Sequence, residues 1–183
     1  MMNTEISQLI ETLSSTDNKL RLNALQTVLD LTNQPVEWVY EAWDAMVARL
    51  WHQNSYQRSI GIMVLCNLAK SDHEGRINFV LDNLLSCTKD EKFITSRQCI
   101  QNIWKVAVTS PENRERVINC LEQRLLECRE EDHFNLLRLD IMQSIRQTAE
   151  VTGDRSLLDR AWDLAAQETE APYRKKYEAA LRN

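Results

Sequence analysis

The strongest constraint on this chain is an arginine that recurs at near-constant spacing. It stands at Arg21, Arg58, Arg97, Arg138 and Arg174, in steps of 37, 39, 41 and 36 residues. A period of roughly 20–50 residues marks an array of stacked small units, each unable to bury its apolar face alone.

The residues around each arginine repeat as well. Three positions on stand Ala24, Gly61, Ile100, Ile141 and Tyr177; seven positions on stand Val28, Leu65, Trp104, Ile145 and Leu181. With about 3.6 residues per turn, these offsets fall on one helical face. Each arginine therefore sits near the start of a buried "B" helix.

A second amphipathic stretch, the "A" helix, precedes each B helix. The first runs over Thr4–Ser14, the second from Pro35 to Leu50, the third from Gly75, the fourth from Pro111 and the fifth from Asp154. Ser110-Pro111 combines an N-cap with a proline in the first turn, where a missing N–H is harmless. Pro35 and Pro172 are expected to open helices for the same reason. Asp17 stands at capping distance from the first B helix, and Gly75 and Gly153 fall between repeats. Two helices in each of five units predict about ten helices in one domain spanning residues 1–183.

A cation in the first turn of a helix faces the positive end of the dipole. Its recurrence calls for an acceptor. Asp17, Asn54 and Glu170 lie just before Arg21, Arg58 and Arg174, and Glu91 and Asp132 lie a little further before Arg97 and Arg138. Pairing between successive inter-helix turns would form a structural ladder along the stack.

With these features the chain resembles the HEAT repeat family, of which armadillo repeats are a near relative. The stretch Asp17-Asn18-Lys19-Leu20-Arg21-Leu22-Asn23-Ala24-Leu25 is the best match to that family's second helix. The resemblance implies an all-α, right-handed α-α superhelix of about five HEAT-like repeats, with B helices lining the inner face. It implies no particular chemistry. The fifth unit departs most, its B helix being polar as a terminal cap should be.

Composition narrows the function classes. Net charge is −5, and three glycines and three prolines leave few turns. The charge opposes non-specific binding to nucleic acid or anionic membrane. No apolar run has the length of a membrane span. Met1–Ile10 lacks the pattern of a signal peptide. The five cysteines, Cys66, Cys87, Cys99, Cys120 and Cys128, include no CxxC and read as reduced core thiols of a cytoplasmic protein.

Catalytic signatures are missing. His52, His73 and His133 lie at no metal-ligand spacing. No histidine is spaced to activate Cys66 or Cys99, and no glycines cluster into a phosphate loop. Glu130-Glu131-Asp132 reads as a solvated turn before a helix. No enzyme activity, metal or cofactor is therefore expected. Among the tryptophans, Trp43 and Trp104 are assigned to the core, and Trp38 is the one expected at the surface. Tyr173-Arg174-Lys175-Lys176-Tyr177 could grip an acidic partner or RNA, but reads better as a solvated last helix with Tyr177 inside.

Opposite the core, the positions one, five and nine after each arginine should line the inner face. They are Leu22, Gln26 and Asp30; Ser59, Met63 and Asn67; Gln98, Asn102 and Val106; and Leu139, Gln143 and Gln147. The row is rich in amides and nearly uncharged. Amides can satisfy the backbone of a bound segment, so the expectation is a non-enzymatic scaffold or adaptor for a protein or peptide. Its partner-binding row would include Gln26, Asp30, Met63, Asn67, Gln98, Asn102, Gln143 and Gln147. The alternative is a nucleic-acid-processing protein like the HEAT-like alkylpurine DNA glycosylases, whose grooves need several cations against phosphate. Phycobilin lyases also carry HEAT-like repeats, but shorter ones.

Overall fold

The computed structural model describes residues 4–182; Met1–Asn3, within the stretch read for a signal peptide, and the terminal Asn183 lie outside them. Among the described residues every regular element is helical. By internal packing the chain divides into two compact units, Met1–Cys99 and Ile100–Asn183.

The first unit holds α1 (Thr4–Thr12), α2 (Asn18–Leu31), α3 (Val39–Arg49), α4 (Ser55–Leu68), α5 (Ile77–Ser86) and most of α6 (Phe93–Asn102). Helix α1 packs on α2 and α3 on α4; the pairs then stack, α1 on α3 and α2 on α4. The second unit holds the end of α6, α7 (Trp104–Ala107), α8 (Pro111–Glu127), α9 (Phe134–Thr152), α10 (Arg155–Ala166) and α11 (Ala171–Arg182). Here α9 is the hub, in contact with α7, α8, α10 and α11.

Helix starts follow local chemistry. The Asp17 carboxylate accepts from the N–H groups of Lys19 and Leu20 at 2.8 and 3.1 Å. Asn54, Ser110 and Asp154 cap α4, α8 and α10 in the same way. Such caps satisfy N–H groups that lack an intrahelical partner. Gly153 closes α9 at φ 72°, in the left-handed region that glycine enters without strain.

Pro35 does not open a helix. The segment after it stays irregular, Val36 N–H donates to the Ser71 hydroxyl at 3.0 Å, and α3 begins only at Val39.

The apolar offsets behave as the spacing demands, with one exception. Ala24, Val28, Leu65, Ile100, Ile141, Ile145, Tyr177 and Leu181 are all buried. Trp104 is only half-buried. The helix breaks at Ile103, between α6 and α7, and the new turn points Val106 and Ala107 inward instead. Trp43 is buried as expected; Trp38 is half-buried, and the exposed tryptophan is Trp51, at 60%. Cys66, Cys87, Cys99 and Cys128 are buried. No helix among the described residues is long and apolar enough to cross a membrane.

Candidate functional site

The recurrent arginines occupy the fourth or fifth position of their helices. Asp17 and Asn54 are not their partners, because both use their side chains as caps. Arg58 instead reaches the next inter-helix turn. Its Nε and Nη2 donate to Asp90 at 2.6 and 2.8 Å, and Glu91 lies 3.6 Å from Nη2. Arg138 likewise reaches forward to Glu168, in the turn before α11, and both side chains are buried. Arg21 donates to Ser15 O and Asn18 Oδ1 and lies over the ring of Tyr56 at 5.7 Å. Arg97 lies over Phe93, and Arg174 is exposed.

Burial and hydrogen bonding sort the amide row. Gln26 and Asp30 are exposed and bonded to each other at 2.9 Å. Met63 is half-buried between α2 and α4. Asn67 is not a surface group: it is 3% exposed and donates to Thr32 Oγ1 at 3.0 Å. The stacking of α4 on the C-terminal end of α2 turns it toward the preceding repeat. Ser59 and Val106 are buried too. Gln98, Asn102 and Gln147 are half-buried, and Asn102 accepts from Lys105 Nζ at 2.7 Å. Gln143 is exposed beside Arg146 and Lys176 in a shallow groove between α9 and α11. The row therefore has cationic neighbours in the second unit.

The first unit carries a more apolar surface. A groove of about 310 Å³ separates α2 from α4, lined by Leu22, Leu25, Ile60 and Met63 with Asn18, Arg21, Tyr56 and Ser59. It adjoins a second of about 300 Å³ that passes Tyr56 and Ser59 to Phe93, Ile94 and Thr95 at the start of α6. The Ser59 and Thr95 hydroxyls bond across its floor at 3.1 Å. Leu22 is 64%, Tyr56 68% and Ile94 61% exposed. Three large apolar side chains thus stand open on successive B helices, where a soluble surface would more often place polar ones. Tyr56 and Ile94 stand just before their arginines, positions that the amide row did not include.

Among the described residues no three His, Cys, Asp or Glu side chains gather as a metal site would require. No family profile and no curated protein matches the chain. Solved structures do. A designed armadillo repeat protein in complex with peptide (KR)4 superposes with a TM-score of 0.59 at 14% identity, over 97% of this chain and 81% of that one. Computationally designed armadillo repeat proteins for modular peptide recognition match with a TM-score of 0.53 at 15% identity, over 97% and 81%. An engineered protein from the Northeast Structural Genomics Consortium matches with a TM-score of 0.56 at 16% identity, over 96% and 79%.

The fold is an armadillo/HEAT-like helical-repeat solenoid. At these identities the likeness speaks for the fold alone. Within it, the B helices supply both the recurrent arginines and the open apolar grooves.

Proposed function

We propose that this solenoid is a non-enzymatic, cytoplasmic scaffold that binds a peptide segment of another protein along its B helices, as one repeat domain. The observation that carries the reading is the groove running past Leu22, Tyr56 and Ile94 in the first unit. Its floor and walls offer apolar contact, while Asn18 and Ser59 give polar groups that can meet a peptide backbone. Support also comes from the designed armadillo proteins of the same fold, described as made for peptide recognition or found with a bound peptide. The occupant is a short segment with apolar side chains at alternate or helical spacing. Nucleic acid fits this surface poorly, because Arg21 and Lys92 are the only cations among the groove residues and Glu91 offsets one of them.

The test is selection of binders from a displayed random-peptide library, followed by fluorescence anisotropy with the selected peptides. Expected are peptides carrying apolar anchors whose affinity falls about tenfold or more with Tyr56→Ala or Leu22→Asp, as for anchor residues in other interfaces. Affinity unchanged in both variants would remove the groove as the binding surface. A mobility shift of duplex DNA at low salt would favour the nucleic-acid alternative.

A further inference from the structure

A cavity of about 660 Å³ opens between the inter-helix turns of the first two repeats, lined by residues from Ser14–Arg21 and Ala45–Gln57. Its lining contains Arg21, Arg49 and His52 together with serine, threonine and amide side chains, and no aspartate or glutamate. Asp17, the nearest acid in sequence, is engaged with the start of α2 and is not among the lining residues.

Arg49 is the informative wall. It is 8% exposed, yet among the described residues its hydrogen bonds go only to neutral acceptors: Gln57 Oε1 at 3.0 Å, Ala45 O at 2.8 Å, Ser14 Oγ at 2.8 Å and Ile10 O at 3.4 Å. Burial lowers its pKa, with no carboxylate acting to restore it. Among the described residues the other two buried arginines, Arg124 on α8 and Arg138 on α9, are treated differently. Arg124 forms a two-pronged pair with Glu131, and Arg138 pairs with Glu168. A guanidinium does not shed its proton, so a buried one with no ion-paired carboxylate among the described residues is a charge awaiting compensation. The opposite wall, Arg21, is likewise held, among the described residues, only by neutral oxygens and by the face of Tyr56.

The cavity adjoins the apolar groove, since Asn18, Arg21 and Tyr56 line both. We infer that it is an anion-binding site that receives the phosphate or carboxylate of a side chain on the peptide seated in the α2/α4 groove. The inference rests on the peptide-binding reading for the origin of that anion, and on the cavity alone for its existence. Guanidinium groups bind such oxyanions through charge-assisted hydrogen bonds, and the hydroxyl lining supplies further donors.

Two titrations test it, both on the full chain. The first follows the NMR signals of the protein as inorganic phosphate is added. Saturable shifts at Arg21, Arg49 and His52, lost in Thr16→Glu and in Arg21→Gln but kept in Leu22→Asp, are expected. These variants avoid Arg49, whose replacement endangers the fold; circular dichroism checks that each is folded. No saturable response, or one indifferent to Thr16→Glu, overturns the site. The second compares one library-selected peptide in three forms, with phosphoserine, glutamate or glutamine at the position nearest the cavity. The anionic forms should bind about tenfold more tightly than the glutamine form, the scale of one hydrogen bond to a charged group, and the advantage should vanish in Thr16→Glu. Phosphate binding without any anionic advantage in the peptide overturns the peptide origin and leaves a site for a small free oxyanion. If no peptide binds while phosphate does, the groove reading fails and the peptide origin fails with it, while the cavity's role as an oxyanion site survives.

Discussion

Gly61 of α4 lies so close beneath Arg49 of α3 that it has no room for a side chain. A Cβ on it would come 2.8 Å from Arg49 Cβ and 2.8 Å from the Met46 carbonyl oxygen. Both obstacles are at or near the backbone, so relief would require the two helices to separate. Gly61→Ala is therefore expected to destabilise the chain by about 1–3 kcal/mol, the range for overpacking, although alanine favours a helix by about 1 kcal/mol over glycine. The urea midpoint of the variant against the parent measures the difference. An unchanged or higher midpoint would mean that α3 and α4 do not approach this closely.

The Arg58–Asp90 pair predicts an acid sensitivity. Burial alone would raise the Asp90 carboxyl, but the Arg58 hydrogen bonds and the Lys92 N–H hold it below the ordinary carboxylate value. A carboxyl lowered in the folded chain takes up its proton more readily when unfolded. Its stabilisation is complete above the unfolded value of about 3.9 and disappears as pH falls through the folded value. Urea midpoints measured from pH 6 downward should fall below about pH 4, and Arg58→Met should flatten that part of the fall while lowering the midpoint at pH 6. Equal pH profiles would show that the pair adds nothing. We propose the same forward-reaching role for Arg138 and Glu168, as rungs of a ladder linking neighbouring turns.

Much of this architecture is legible in the sequence, because it is set by local rules. Asp17, Ser110 and Asp154 announce helix starts through their capping chemistry, and the arginine period announces the stacking. What escapes is what depends on neighbours. Asn67 sits on the polar side of its own helix, yet α2 covers it. Trp104 keeps the apolar register, yet a break at Ile103 that no glycine or proline marks turns it partly outward. Tyr56 and Ile94 stand in the first turns of α4 and α6, and only the side-by-side placement of α2, α4 and α6 makes them walls of a groove.

Tyr177 offers an alkaline counterpart. It is fully buried under Arg138, its hydroxyl has no hydrogen-bond partner among the described residues, and burial pushes its pKa from 10.0 up to about 12, against the opposing pull of Arg138. Because the folded value lies above the unfolded one, the neutral phenol's contribution is complete below pH 10.0 and is lost as pH rises toward about 12. Tyr177→Phe removes an unsatisfied polar atom and keeps the ring over Arg138. It should leave the melting temperature at pH 7 equal or higher, and should shrink the loss of stability between pH 10.0 and about 12. A marked drop at pH 7 would reveal a partner for the hydroxyl.

Asn67 and Gln26 separate a packing amide from a surface one. Both are amides on the same expected row, but their surroundings differ. Asn67 Nδ2 donates to Thr32 Oγ1, which itself donates to Val28 O at 2.7 Å, and both side chains are buried. Removing the amide strips a buried acceptor of its donor and leaves a small void between α2 and α4. Asn67→Ala should therefore cost about 1–3 kcal/mol. Among the described residues Gln26 bonds only to the exposed Asp30, so Gln26→Ala should stay within about 0.5 kcal/mol of the parent. Urea unfolding of the two variants under one set of conditions gives the comparison. Equal stabilities would mean that α2 and α4 leave the Asn67 side chain open, and would return it to the binding row.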